Sequence, residues 1–138
     1  MKLGPACDYA ASSVARMVKF WDIPIITAGA LAADFGLPKY PEAEYYLLTR
    51  TGLSFDEVSH FMVKLFKKYD WKTVLVIYDS NSRTEVMKED YGALFAKALI
   101  DTLRADGGFS FYHHKMKEKL NEEETEMMLK EVVGNKYA

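Results

Sequence analysis

Cys7 is the one thiol in 138 residues, and Gly4-Pro5-Ala6-Cys7-Asp8-Tyr9 places it at a helix start. There the macrodipole and free first-turn amides can lower a thiol pKa, as a nucleophile requires. The phosphatase arrangement needs an arginine six positions later, where this chain has Ser13; Arg16 comes too late, and no histidine is near in sequence to act as base. On the residues alone, Cys7 is either a nucleophile or an inert buried thiol. The same segment offers a second chemistry. Successive backbone amides from Gly4 to Cys7 can converge on a small anion, or the turn serves only to aim the helix. It lacks the glycine patterns of a P-loop or a dinucleotide fingerprint.

The other candidates reduce mostly to structure. His113 and His114 are adjacent on an expected strand and point to opposite faces, so they cannot share a metal. His60 lies on or beside the apolar face of its helix. Asp56-Glu57 is explained by capping, Glu89-Asp90 by a solvent face, and Met127-Met128 by core filling. Tyr78 and Ser80 are candidate ligand contacts, because they stand at the carboxyl end of a strand, where open α/β sheets bind ligands. No catalytic residue and no metal ligand set emerges.

These residues need elements to hold them. Tyr9, Val14, Met17, Val18 and Trp21 recur at helical spacing over Asp8 to Trp21. Ile23 to Thr27 reads as a buried strand, and Tyr45 to Thr49 as another. Ser54 with Glu57 forms a capping box for a helix whose stripe is Val58, Phe61, Met62, Leu65, Phe66 and Tyr69. Thr73 to Tyr78 is a continuous apolar strand. A long helix from about Thr84 to Arg104 follows, with Met87, Tyr91, Leu94, Phe95, Ala98 and Leu103 inward. Phe109 to His113 is a strand, and Asn121 with Glu124 opens a last helix that Gly134 closes. The alternation predicts a parallel α/β fold. The turn-helix-strand unit at the start should follow an earlier strand, for which there is no obvious sequence, so the chain reads as beginning inside a domain.

Composition excludes several classes. With 49% hydrophobic and 14% aromatic residues the chain is globular rather than disordered. A net charge of -2 supplies no basic field for nucleic acid or an anionic membrane. No run approaches the roughly 20 apolar residues of a membrane span, and Met1 to Pro5 is not followed by a leader's apolar stretch. Taken literally, such a chain would stay in the cytosol. One cysteine excludes an internal disulfide and a multi-cysteine zinc site.

Gly4-Pro5-Ala6-Cys7-Asp8-Tyr9-Ala10-Ala11, Val14-Ala15-Arg16, Trp21, Pro24, Thr27-Ala28-Gly29-Ala30-Leu31 and Leu48-Thr49-Arg50 resemble the extracellular ligand-binding region of natriuretic peptide receptors and related receptor guanylyl cyclases. The likeness is ordered over residues 4–50, continues as pattern through Trp71 to Tyr78 and Tyr91-Gly92, and fades after Gly107. It implies a type I periplasmic-binding-protein fold with parallel sheets flanked by helices. Residues 1–50 would be the C-terminal part of the first, membrane-distal lobe and 51–138 the N-terminal part of the second, both incomplete, with a crossing strand at Tyr45 to Arg50.

The resemblance also implies functions. Cys7 would pair with an upstream cysteine absent from this chain. Backbone at Ala6 and Cys7 would help hold a chloride, although Ala6 stands where glycine is usual. Tyr9 and Arg16 match hormone-side positions, and Met17 and Phe20 a dimer contact. The implied partners are a secreted peptide and a second copy of the parent receptor, on the extracellular side of the plasma membrane, with cGMP signalling by the parent and no catalysis by these residues. The Ser80 to Asp90 loop lacks the cysteine and phenylalanine of the vertebrate receptors. The competing readings are a small-molecule sensor of the same fold, and a cytosolic flavodoxin-like protein. Two half-built sheets would leave the isolated chain poorly stable.

Overall fold

The computed structural model describes residues 1–80, 91–116 and 120–134. Its contacts divide the chain into two compact units, Met1–Val58 and Ser59–Ala138. In each, the described strands run parallel, as the alternation of helix and strand predicts.

In the first unit the elements are β1 (Lys2–Leu3), α1 (Asp8–Lys19), β2 (Ile25–Thr27), a 3-10 turn (Ala33–Gly36), β3 (Leu48–Arg50) and the beginning of α2 (Phe55–Lys68). The sheet order is β1-β2-β3, with Lys2 opposite Ile25, and Ile25 opposite Leu48. A strand therefore does precede α1, contrary to the sequence expectation. It was illegible because it has two exposed residues and is held by backbone bonds alone, Lys2 N–H to Pro24 O at 2.9 Å and Gly4 N–H to Ile26 O at 2.7 Å. β3 begins later than expected, because Tyr45 to Leu47 form a turn whose Tyr45 carbonyl accepts Leu48 N–H at 3.1 Å.

Helix α1 buries a different stripe from the one its large residues suggest. Asp8, Ala11, Ala15 and Val18 face the core, while Tyr9, Met17 and Trp21 are exposed. The core is completed by Ile25, Ala30, Ala32, Phe35 and Leu48, with Val14, Ile23 and Tyr45 packed against it. Alanines at Ala11 and Ala15 leave the helix close to β2, and small side chains cost little rotamer entropy to bury.

The second unit contains the rest of α2, then β4 (Thr73–Tyr78), α3 (Tyr91–Asp106), β5 (Ser110–Lys115), α4 (Glu122–Met128) and a π-helical turn (Leu129–Val133). β4 and β5 pair in register from Thr73 opposite Ser110 to Tyr78 opposite Lys115. Val63, Phe66, Leu99 and Leu103 form the core, with Met62, Val74, Val76, Phe109 and Phe111 against it. The alternation of β4 thus directs Val74 and Val76 to the two helices.

The predicted capping box at Ser54 forms, and the helix start expected at Asn121 proves to be a second one. Glu57 N–H donates to Ser54 Oγ at 3.3 Å and Ser54 N–H to Glu57 Oε2 at 3.1 Å. Asn121 and Glu124 exchange the same pair of bonds at 2.8 and 3.0 Å. Several side-chain expectations fail. Phe61, Tyr69 and Met127 are exposed, and so is His60; Ser59 and Val63 are buried in α2 beside Phe55 and the expected Phe66. Helices α1 and α2 end alike, with an aspartate in the left-handed region, Asp22 at φ 53° and Asp70 at φ 55°. The next amides, Ile23 and Trp71, reach back to Val18 O at 3.1 Å and Phe66 O at 2.9 Å.

Candidate functional site

The loop that leaves β2, residues 28–32, is the best-anchored part of the first unit, and its anchors come from either end of the motif sequence. Asp8, in the first turn of α1 and only 7% exposed, accepts Leu31 N–H on Oδ1 at 2.8 Å and Ala32 N–H on Oδ2 at 2.9 Å. Arg50 takes the carbonyls. Its Nη1 donates to Ala30 O at 3.2 Å and Ala32 O at 3.0 Å, and its Nη2 to Asp56 Oδ1 at 2.9 Å. Phe55 N–H donates to Leu31 O at 2.8 Å. Two amides of the loop are thus held by an acid and two of its carbonyls by a base, which matches backbone groups that burial would otherwise leave costly.

Asp56 is the titratable group most shaped by this network. Burial pushes its carboxyl up, but the Ser54 hydroxyl, the charge of Arg50 and its hydrogen bonds outweigh that and hold it below the usual carboxylate value. The Lys39 ammonium is pushed down by partial burial and by the charge of Arg50, while donating to Phe35 O at 2.8 Å and Tyr45 O at 2.9 Å.

The turn before α1 packs on Gly29. A Cβ there would lie 1.9 Å from Ala6 O, so only glycine permits the approach. Thr27 Oγ1 donates to Pro5 O at 2.7 Å and accepts Gly29 N–H at 3.0 Å. Cys7 is half-buried and caps α1 through its backbone, its carbonyl accepting Ala11 N–H at 2.8 Å.

The outward face of α1 gathers the residues expected at the hormone and at the dimer contact. Tyr9 is 75% exposed, Met17 54% and Phe20 89%, and Trp21 beside them is 62% exposed. Arg16 is held rather than free. It pairs with Glu44, donates to the Tyr45 hydroxyl at 2.8 Å, and stacks over that ring at 5.5 Å. The Glu44 hydrogen bond raises its already high pKa. Lys19 adds bonds to Glu42 O at 3.1 Å and Ala43 O at 2.9 Å. Segment 42–45 thus serves as a splint for the basic side of the helix.

In the second unit, Tyr78 lines a cavity of about 370 Å³ with Met62, Val76, Asp79, Gly92 and Phe95. Ser80 is buried, and its Oγ has no hydrogen-bond partner among the described residues. His113 is exposed and His114 half-buried, and no group of three or more metal-ligating side chains occurs among the described residues. Glu89-Asp90 and Met87 lie outside the described residues. Among those described, no helix is long and apolar enough to cross a membrane.

Comparison with known proteins decides the family. The family model described as the receptor family ligand binding region matches residues 2–136. The chain belongs to the receptor ligand-binding-region family. Bovine atrial natriuretic peptide receptor 3 is 39% identical over 79 residues, 57% of this chain and 14% of that protein. The human receptor 3 is 38% identical over 79 residues, and rat atrial natriuretic peptide receptor 2 is 36% identical over 83 residues, 60% of this chain and 8% of that one. The chain therefore spans a small part of the relatives it matches. Membership in the receptor ligand-binding-region family accounts for the parallel α/β architecture, which is periplasmic-binding-protein-like.

Sequence reasoning missed Asp8, Arg50 and Tyr45 as working residues. Asp8 was visible only as a helix-start acid, and Arg50 only as part of a family motif. Nothing in sequence spacing says that they grip the same loop from positions 42 residues apart.

Proposed function

We propose that this chain is part of the extracellular ligand-binding region of a natriuretic-peptide-receptor-like protein, and that the exposed face of α1 contributes to binding a secreted peptide. Tyr9 and Arg16 face the peptide, and Met17 and Phe20 contact a second copy of the parent. The supporting observation is the inversion of α1. It buries Ala11, Ala15 and Val18 and presents Tyr9, Met17, Phe20 and Trp21 outward, although large apolar side chains gain far more from burial than alanines do. Aromatic and methionine side chains with a positioned arginine are the groups enriched at interface cores. The names of the relatives supply the peptide class.

These residues bind and do not catalyse. By resemblance to receptor guanylyl cyclases, cGMP synthesis belongs to another part of the parent. Cys7 is assigned a disulfide to a cysteine outside residues 1–138. Tyr78 and Ser80 are assigned a secondary ligand role, supported by the buried Ser80 hydroxyl, which has no partner among the described residues.

The test is titration of the 138-residue chain with fluorescent atrial natriuretic peptide, with sedimentation to follow self-association. Tyr9→Ala and Arg16→Ala should each weaken binding about 10-fold, the effect of losing a contact of about 1.4 kcal/mol. Met17→Ser with Phe20→Ser should lower self-association without changing peptide affinity at low concentration. A folded chain that ignores the peptide, or variants that bind as the parent sequence does, would defeat the proposal.

A further inference from the structure

The natriuretic-receptor resemblance implies a chloride at the backbone of Ala6 and Cys7, and the polar side chains beside that turn are already committed to other partners. The hydroxyl bonded to that turn, Thr27 Oγ1, has a single proton and gives it to Pro5 O at 2.7 Å. Gly29 closes on the other side, since a Cβ there would sit 1.9 Å from Ala6 O. The positive end of α1 already carries a carboxylate in its first turn, Asp8, which is 93% buried by its 7% exposure. That carboxylate accepts from two amides of the adjoining loop, Leu31 at 2.8 Å and Ala32 at 2.9 Å. A second anion next to it would meet a like charge where water screens poorly.

We propose that Asp8 is the resident anion of this turn: a covalently attached carboxylate that fixes the loop after β2 to the start of α1 and makes the site independent of chloride. Asp8 is a positioning residue. It sets the path of the loop and the approach of α1, from which Tyr9 projects.

Amide hydrogen exchange at Leu31 and Ala32, with the thermal midpoint, tests it on the full 138-residue chain in sodium chloride against sodium gluconate at constant ionic strength. The unaltered chain should protect both amides equally in the two salts and show no chloride-specific rise in midpoint. Asp8→Ala should lose at least 10-fold protection at both amides, and formate or chloride, small enough to enter the vacated space, should restore it where gluconate does not. A merely structural loss would show no such anion rescue. A saturable, chloride-specific stabilisation of the unaltered chain overturns the proposal even if Asp8→Ala does not fold. So does protection in Asp8→Ala that is indifferent to the anion, or unprotected amides in the unaltered chain in every salt.

Discussion

Replacing Arg50 with alanine should be among the most damaging single changes in the first unit. The guanidinium side chain is 14% exposed, and it satisfies the carbonyls of Ala30 and Ala32 and one oxygen of Asp56. Its removal strands two loop carbonyls, at roughly 1 kcal/mol or more each for buried groups. It also leaves the Asp56 carboxylate without its counter-charge. A fully buried broken pair costs about 3–5 kcal/mol, but the Asp56 side chain is 32% exposed, so water recovers much of that. The expected total is about 2–4 kcal/mol. Urea denaturation followed by far-UV circular dichroism measures it, and exchange at the Ala32 and Phe55 amides shows whether the loss is local. In a cycle with Asp56→Ala, the double variant should cost clearly less than the sum of the singles, because the partners are in contact. Arg50→Lys should recover less than half, since an ammonium cannot span carbonyls and carboxylate in one plane. A loss under about 0.5 kcal/mol for Arg50→Ala, or simple additivity with Asp56→Ala, would refute the clamp.

Two further expectations follow from charge and backbone. Because the Asp56 carboxyl is held below its usual value of 3.8, its contribution to stability is present above that pH and disappears as the pH falls through the folded value. Asp56→Asn should therefore lower stability near neutrality and flatten the acid limb of a pH-stability curve; an unchanged acid limb would count against it. Asp70→Gly should stabilise by about 0.5–1 kcal/mol, since φ 55° strains an L-residue and suits glycine. Asp22→Gly should gain less, because Asp22 accepts the Tyr46 hydroxyl at 2.8 Å, whereas the Asp70 carboxylate makes an exposed pair with Lys72 at 3.3 Å. Thermal midpoints measure both, and equal gains would remove the role given to Tyr46.

What was legible in the sequence was whatever is local. Ser54 and Glu57, and Asn121 and Glu124, are three residues apart, and their reciprocal bonds follow from that spacing alone. The apolar run of β4 needed only its length and branching. What failed had long-range causes. The stripe of α1 was misassigned because hydrophobic size dominates a periodicity argument, whereas the helix is docked through Ala11 and Ala15, whose value lies in how near they let the backbone come. Phe61 and Tyr69 misled in the same way on α2. β1 has no side-chain signature because backbone bonds to Pro24 and Ile26 make it. Of the candidate site, the motif segment was found and its gripping pair was not, since one sequence cannot reveal that Asp8 and Arg50 share a loop.

The inside-out packing of α1 separates two kinds of information along twelve residues. Positions 8, 11, 15 and 18 encode shape and tolerate little enlargement. Positions 9 and 17 and those beyond the helix end at 20 and 21 encode only surface. The outer set can drift, changing whom the helix meets, without altering the path of the chain beneath it. A saturation scan would see this as two interleaved tolerance patterns on one helix, and descendants of such a scaffold could acquire new partners while keeping the same frame.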